Sequence, residues 1–417
     1  MHQINNTREN LIREMDQKQL ICFGAGKSLK NIKGFLESKH LCIAHLIDND
    51  KDKWGIHIDN SVVEDPCILS GCSGEEYVIL IPSKRYANEI KEQIEKDYPN
   101  KFMIFRWPLE SEEYREFNDE MWYERIYLPC ETLYKNIASV FGEEERGLYI
   151  SEKKELLSDK EKVILPRTPL MITTRCTLRC KECSNLIPHY EHPKDYDADE
   201  IIGWIKNICD AVDEWICLEL VGGEPFLYRN LAKVLRYVLN EEKIQQVEFT
   251  SNASVMPDQE IMDLLSNRKV YIRISQYPGV IDPSQFMELL NEYGIRYILM
   301  ENMRWIKTGS LTSRERTVVE LQYQYLNCIP AKLCRTILNG KMYVCSKAAS
   351  LMELGYTDDL ETVDLTDKDN LRTNLRRMLQ LSYSKACNYC DEASKDEEVI
   401  EPAEQISKDK RCDKLCM

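Results

Sequence analysis

The chain has 417 residues, enough for two or three domains, with 43% hydrophobic and 30% charged residues, ordinary values for a globular protein. A net charge of −15 argues against non-specific attraction to nucleic acid or anionic membranes. No apolar run is long enough to span a membrane, and the N-terminus lacks the basic-then-apolar layout of a signal peptide. The 17 Cys therefore point to a cytoplasmic protein with reduced, metal-binding thiols rather than a disulfide framework.

The first 110 residues alternate strands with helices. Strands are expected at 20–23, 43–47, 78–81 and 102–105, with helical patterns running to Leu36 and to about Asp97. Such alternation predicts a doubly wound, Rossmann-like parallel sheet. Gly24-Ala25-Gly26 after the first strand, with Asp48 closing the second, is a partial dinucleotide fingerprint, but Leu29 stands where its third glycine belongs. Gly26-Lys27-Ser28 is not a phosphate-binding P-loop, because Ile21 replaces the first glycine that motif requires. Two readings stay open for this domain: nucleotide binding, or a docking module resembling those attached to polysaccharide-biosynthesis enzymes.

Residues 111–165 are rich in charge and read as a helical linker with a solvated face. From residue 166 the strand–loop–helix pattern returns. Strands are expected at 170–174, 216–221, 247–250, 270–275 and 295–300, and helices at 198–212, 231–239 and 286–293.

Two motifs lie at the ends of the first two of these strands. Cys176-x3-Cys180-x2-Cys183 supplies three thiolates, one fewer than a [4Fe–4S] cube needs, so one iron is left open to a small molecule. The second is Gly222-Gly223-Glu224-Pro225, where an apolar run breaks into a loop. Structural zinc is the competing reading of the cysteines, but it needs a fourth ligand and leaves the glycine loop unexplained.

Together the two motifs resemble the radical S-adenosylmethionine (radical SAM) superfamily over about residues 165–310. The resemblance implies a partial TIM barrel of (β/α)6 form in the α/β class, with a [4Fe–4S] cluster whose open iron chelates S-adenosylmethionine (SAM). It also implies that Gly222, Gly223, Glu224 and Pro225 form the loop holding the SAM amino group, and that Thr250 and Ser275 meet its carboxylate and ribose. Both hydroxyls also suit helix caps. Family members often carry an aromatic residue just before the third cysteine; here that residue is Glu182.

Beyond the barrel, Leu338-Asn339-Gly340-Lys341 reads as a β-hairpin turn leading to Cys345. With Cys328, Cys334 and the pair Cys387-x2-Cys390, this layout resembles the SPASM/twitch extensions that hold auxiliary [4Fe–4S] clusters. Residues 311–417 are therefore expected to form a twitch-like domain with one auxiliary cluster. Its expected ligands are Cys334, Cys345, Cys387 and Cys390, with Cys328 the rival for one place. Cys412 and Cys416 are candidates for a second cluster. Cys22, Cys42, Cys67, Cys72, Cys130, Cys209 and Cys217 are expected as buried fillers.

The resemblance implies an oxidoreductase that cleaves SAM to a 5′-deoxyadenosyl radical and abstracts hydrogen from a small-molecule or carrier-linked carbohydrate: a sugar, cyclitol or glycan precursor. Dehydrogenation, dehydration and epimerisation all fit, with an electron donor such as flavodoxin or ferredoxin. Maturation of a ribosomally made peptide and a non-catalytic iron–sulfur sensor are the alternatives.

Overall fold

A computed structural model describes residues 6–83, 86–98, 102–301, 305–307, 311–394 and 397–406. The chain forms two compact units, Met1–Glu124 and Arg125–Met417. It is a mixed α/β protein with parallel sheets.

The first unit holds β1 (Gln19–Phe23), β2 (Ile43–Ile47), β3 (His57–Ile58), β4 (Ser61–Glu64), β5 (Tyr77–Ile81) and β6 (Met103–Arg106). They lie in the order β3-β4-β2-β1-β5-β6, with β1 parallel to both its neighbours. Successive residues of a strand point to opposite faces, so a strand covered on both sides reads as one apolar run. Leu20, Cys22, Val78, Leu80 and Phe105 pack with Ile32 and Phe35 of the helix Lys30–Ser38. Ile21, Phe23, Ile79 and Ile81 pack on the other side with Ala87 and Ile94 of the helix Ala87–Asp97. The hairpin β3–β4 was not anticipated, being short and largely polar. Asp48 turns its carboxylate onto the glycine turn: Ala25 N–H donates to it at 2.7 Å and Lys53 Nζ at 3.1 Å.

The second unit holds β7 (Ile164–Thr173), β8 (Glu214–Gly222), β9 (Ile244–Ser251), β10 (Val270–Ser275), β11 (Tyr297–Met300), β12 (Trp305–Ile306), β13 (Thr336–Leu338), β14 (Lys341–Tyr343), β15 (Thr362–Asp364) and β16 (Val399–Ile400). The main sheet runs β11-β10-β9-β8-β7-β13-β14-β15, and β7 to β11 are all parallel. Every residue of β8 is buried, as its central position requires. The helices Ala198–Ala211 and Gln259–Leu265 start on Asp197 and Asp258, whose carboxylates accept the first free N–H groups.

Five parallel strands follow one another, and the outer edge of β7 is taken by β13, where Ile337 lies opposite Leu170. The next short strand, β12, pairs antiparallel with β16 instead. The hairpin forms as expected: β13 and β14 pair through Ile337 and Met342, with Asn339 and Gly340 at φ 47° and 75° in the turn.

Residues 111–165 include the helices Leu128–Ala138 and Glu143–Ser158, which cover the start of β7 and β8. Cys130, Tyr134, Ile137 and Leu157 share a core with Ile164 and Ile216. Among the described residues no helix is long and apolar enough to cross a membrane. Cys22, Cys72, Cys130, Cys209 and Cys217 are buried, but Cys42 and Cys67 are exposed and are not core fillers.

Candidate active site

The two motifs meet at the C-terminal ends of β7 and β8. Gly223 N–H donates to Thr173 O at 2.9 Å and Glu224 N–H to Arg175 O at 2.8 Å, so the glycine loop is stitched to the start of the cysteine loop. A Cβ on Gly222 would lie 1.9 Å from Thr173 O; one on Gly223 would lie 2.1 Å from Arg175 O and 2.8 Å from the Cys176 Cβ. Only glycine lets the chains come this close. Asn185 Nδ2 donates to Gly222 O at 2.7 Å, tying the far side of the cysteine loop to the same glycine. Arg175 braces the entry, reaching Asp195 at 3.1 Å and Leu227 O at 2.9 Å.

Glu224 is fully buried. Its carboxylate accepts N–H from Asn252 at 2.9 Å and from Phe226 at 3.4 Å, and O–H from Ser251 at 2.8 Å. Burial nevertheless pushes this carboxyl up to about 7. The side chain therefore ties the exit of β8 to the exit of β9, and Pro225 opens the short helical turn Pro225–Leu227 that follows. Any hold of this loop on an amino group falls to its backbone.

Each of the three cysteine sulfurs sits among N–H donors. Cys176 Sγ accepts from Leu178 N–H at 3.4 Å and lies 3.7 Å from Asn252 Nδ2. Cys180 Sγ accepts from Gln405 Nε2 at 3.2 Å. Backbone hydrogen bonds from Ile187, Asn185 and Leu186 reach Cys183. Burial pushes the Cys176 and Cys180 thiols up to about 12 and about 11. Buried thiols of this kind ionise on metal, and the N–H groups then solvate the thiolates. The donor set suits an iron–sulfur cluster. Among the described residues no three His, Cys, Asp or Glu side chains converge as a single metal ion requires; a four-iron cube spreads its ligands more widely.

Ser275 and Thr250 part company. Ser275 is buried at the end of β10 and hydrogen-bonds Tyr277, which lies close enough to Cys180, Cys183 and Cys176 for their charges to act on it. Tyr277, which the sequence did not single out, also meets Trp305 edge-on at 5.7 Å between ring centres. Thr250 Oγ1 donates to Glu219, below the strand ends. There Arg167 spans Glu219 and Glu248 at 2.6 Å each, and Arg273 reaches Glu248 at 3.2 Å. Burial works against the Arg167 charge, but Glu219 and Glu248 more than offset it. This floor of four charges was also missed, since in the sequence each residue alone looks like a solvent-facing charge interrupting a strand.

The C-terminal cysteines also gather. Cys345 lies within reach of the charges of Cys390 and Cys334, Cys387 within reach of Cys390 and Cys345, and Cys328 within reach of Cys390 and Cys387. Cys328 and Cys345 cap the helices Ile329–Leu333 and Ser346–Glu353, accepting N–H from Ala331 and Ala348 at 3.5 Å each. Arg316 and Gln324 grip the Cys390 carbonyl at 2.7 Å each, which fixes the C-x2-C loop. Cys412 and Cys416 lie outside the described residues.

Two buried cations stand beside this group. Arg125 donates to Tyr325 O and Ala331 O at 2.8 Å each, and Arg335 donates to Ala331 O at 2.6 Å and Cys334 O at 2.9 Å. Neither has a carboxylate partner among the described residues. Buried positive charge without a counter-ion is costly. A cluster ligated by four thiolates is anionic, so the surroundings suit one. Lys347, buried in the helix Ser346–Glu353, lies within reach of the charges of Cys390, Glu182 and Cys345.

Comparison with known proteins agrees with this geometry. The model described as Radical SAM superfamily matches residues 170–276, and one described as C2185-like, N-terminal, matches residues 16–101. Residues 170–276 thus carry a radical SAM domain. Two proteins of Methanococcus maripaludis strains, each described as a probable GTP 3′,8-cyclase, are 30% identical over 87 residues and 33% identical over 88. Each match covers 21% of this chain, and the chain spans only 28% of the length of these relatives. Among solved structures, BtrN in complex with AdoMet and 2-DOIA is 11% identical, with 57% of this chain and 98% of that chain covered at a TM-score of 0.37. Streptococcus suis SuiB bound to S-adenosylmethionine is 14% identical, with 45% and 51% covered at a TM-score of 0.29.

Proposed function

We propose that the protein is a radical SAM oxidoreductase of the cytoplasm acting on a sugar, cyclitol or glycan precursor, with an auxiliary cluster in its C-terminal region. The observation that carries the reading is the lock between Gly222-Gly223 and the cysteine loop, which presents three N–H-solvated sulfurs beside the glycine turn. Cys176, Cys180 and Cys183 would hold a [4Fe–4S] cluster, which would supply the electron for reductive cleavage of bound SAM to a 5′-deoxyadenosyl radical.

The chain's own residues bind and orient. The backbone of Gly223 and Glu224 offers the acceptors for an amino group, and Ser275 a hydroxyl at the same strand ends. Beneath them, Arg167, Glu219, Glu248, Thr250 and Arg273 present donors and acceptors at several heights along β7 to β10. Arg167 Nε, buried in this floor without a hydrogen-bond partner among the described residues, supports a hydroxyl-bearing substrate over an apolar one. Cys334, Cys345, Cys387 and Cys390 are the proposed auxiliary ligands, with Cys328 competing for one place. An electron donor such as flavodoxin or ferredoxin completes the requirement. The first unit serves as a docking module, a reading supported by an Asp48 carboxylate already engaged by Ala25 and Lys53.

Anaerobically reconstituted protein given dithionite and SAM should release 5′-deoxyadenosine slowly, and faster with the right member of a panel of nucleotide sugars and aminocyclitols. Stimulation only by a peptide would replace the carbohydrate reading with peptide maturation. No release at all would leave a sensor.

A further inference from the structure

The cysteine loop does not stand alone, because the segment Ala403–Ile406 runs beside it. Lys181 N–H donates to Glu404 O at 2.8 Å and Ile406 N–H to Arg179 O at 3.0 Å, which sets Gln405 opposite Cys180 in a short antiparallel bridge. Gln405 Oε1 accepts Arg179 N–H at 2.7 Å, while Nε2 donates to Ala403 O at 2.7 Å and to Cys180 Sγ at 3.2 Å. These two backbone partners fix which way the amide faces. Arg179 N–H needs an acceptor and Ala403 O needs a donor, so the NH2 end meets the sulfur. Ala403 is fully buried and Cys180 nearly so, while Gln405 itself is exposed, so its two backbone partners rather than burial hold the amide on the sulfur.

We propose that Gln405 is a positioning residue that raises the reduction potential of the cluster on Cys176, Cys180 and Cys183 by donating an N–H to the Cys180 thiolate. This rests on the reading of those cysteines as cluster ligands. When a one-electron donor reduces the cluster, no bond forms or breaks, and the added negative charge spreads onto the sulfurs. An N–H aimed at one sulfur stabilises the reduced form more than the oxidised one. Reduction is the step that precedes SAM cleavage, so this amide acts on it from the C-terminal segment, 225 residues away in sequence.

Two variants of the full-length reconstituted protein separate donation from packing. Gln405→Glu keeps an acceptor for Arg179 N–H but replaces the donor with a carboxylate; Gln405→Ala removes both. The readout is a redox titration of the SAM-responsive electron paramagnetic resonance signal, with iron per chain and SAM affinity measured alongside. The expected order of potentials is wild type, then Gln405→Ala, then Gln405→Glu. The alanine variant should lose about tenfold in the reduction equilibrium, about 59 mV for one electron, with iron content retained. A SAM-responsive wild-type cluster whose potential ignores both substitutions overturns this proposal alone, as does loss of the cluster in both variants, which would make Gln405 a clamp only. Wild type without any SAM-responsive cluster overturns the family reading and this proposal with it.

Discussion

Glu224 accepts the backbone N–H of Asn252 at 2.9 Å, so a side chain from the glycine loop fixes the loop that follows β9. Because burial raises this carboxyl to about 7, the folded state favours its protonated form. Its unfolded value is about 4.3. The associated stability is therefore fully present below about pH 4 and is lost as pH rises through 7, a loss on the order of 3 kcal/mol. Glu224→Gln cannot ionise and should flatten this slope. Thermal melts of iron-free wild type and variant from pH 5 to 8 should diverge, with wild type losing more. Parallel curves would mean that the carboxyl stays ionised throughout. Glu224→Ala, which strands the buried Asn252 N–H, should cost about 1–3 kcal/mol at any pH.

Gly223→Ala tests the lock between the motifs. The new methyl group would meet the Arg175 carbonyl at 2.1 Å, and backbone cannot yield as a flexible side chain can. The cysteine loop should shift by enough to lose iron. Iron per chain should fall by about half if a second cluster survives elsewhere, and 5′-deoxyadenosine release should fall about 100-fold or more. Full iron and near-normal release would show that the loops can separate.

Arg125→Met probes the C-terminal cysteine group. The substitution leaves Tyr325 O and Ala331 O without their donor, costing about 1–3 kcal/mol each, and removes a buried positive charge. If that charge balances a bound anionic cluster, iron should drop to about four per chain while the SAM-responsive signal stays. The complementary Cys176/Cys180/Cys183→Ala variant should also retain about four iron atoms. Iron near zero in that variant would remove the auxiliary site.

Glu248→Gln addresses the charged floor beneath the strand ends. Arg167 and Arg273 both lean on this carboxylate, at 2.6 Å and 3.2 Å. Substrate-free SAM cleavage should be little changed, whereas the substrate-stimulated rate should show a KM raised about tenfold, worth about 1.4 kcal/mol of lost binding. Equal loss of both rates would instead assign Glu248 a structural role.

Much of this was legible in the chain. The strands at Leu20–Phe23 and Ile216–Val221 declared themselves because both faces are covered, which makes an unbroken apolar run. The cysteine and glycine motifs were legible because their chemistry needs fixed spacing. The pairing of β13 with β7 was not, since a sheet edge is chosen by tertiary packing that three residues, Thr336–Leu338, do not encode. Thr250 was expected near a ligand by its place at a strand end, but a neighbouring carboxylate, Glu219, captures its hydroxyl. Gln405 left no signal at all; one glutamine in a polar tail gains its meaning only when the chain brings it to Cys180.

The most direct measurement is the electron paramagnetic resonance spectrum of the reduced, oxygen-free protein with and without SAM. We expect a [4Fe–4S] signal that changes when SAM is added and that vanishes in the Cys176/Cys180/Cys183→Ala variant. A wild-type spectrum with no SAM-responsive component, or a SAM-responsive component that persists unchanged in that variant, would contradict the assignment of these three cysteines and the Gly222–Pro225 loop as one SAM-binding site.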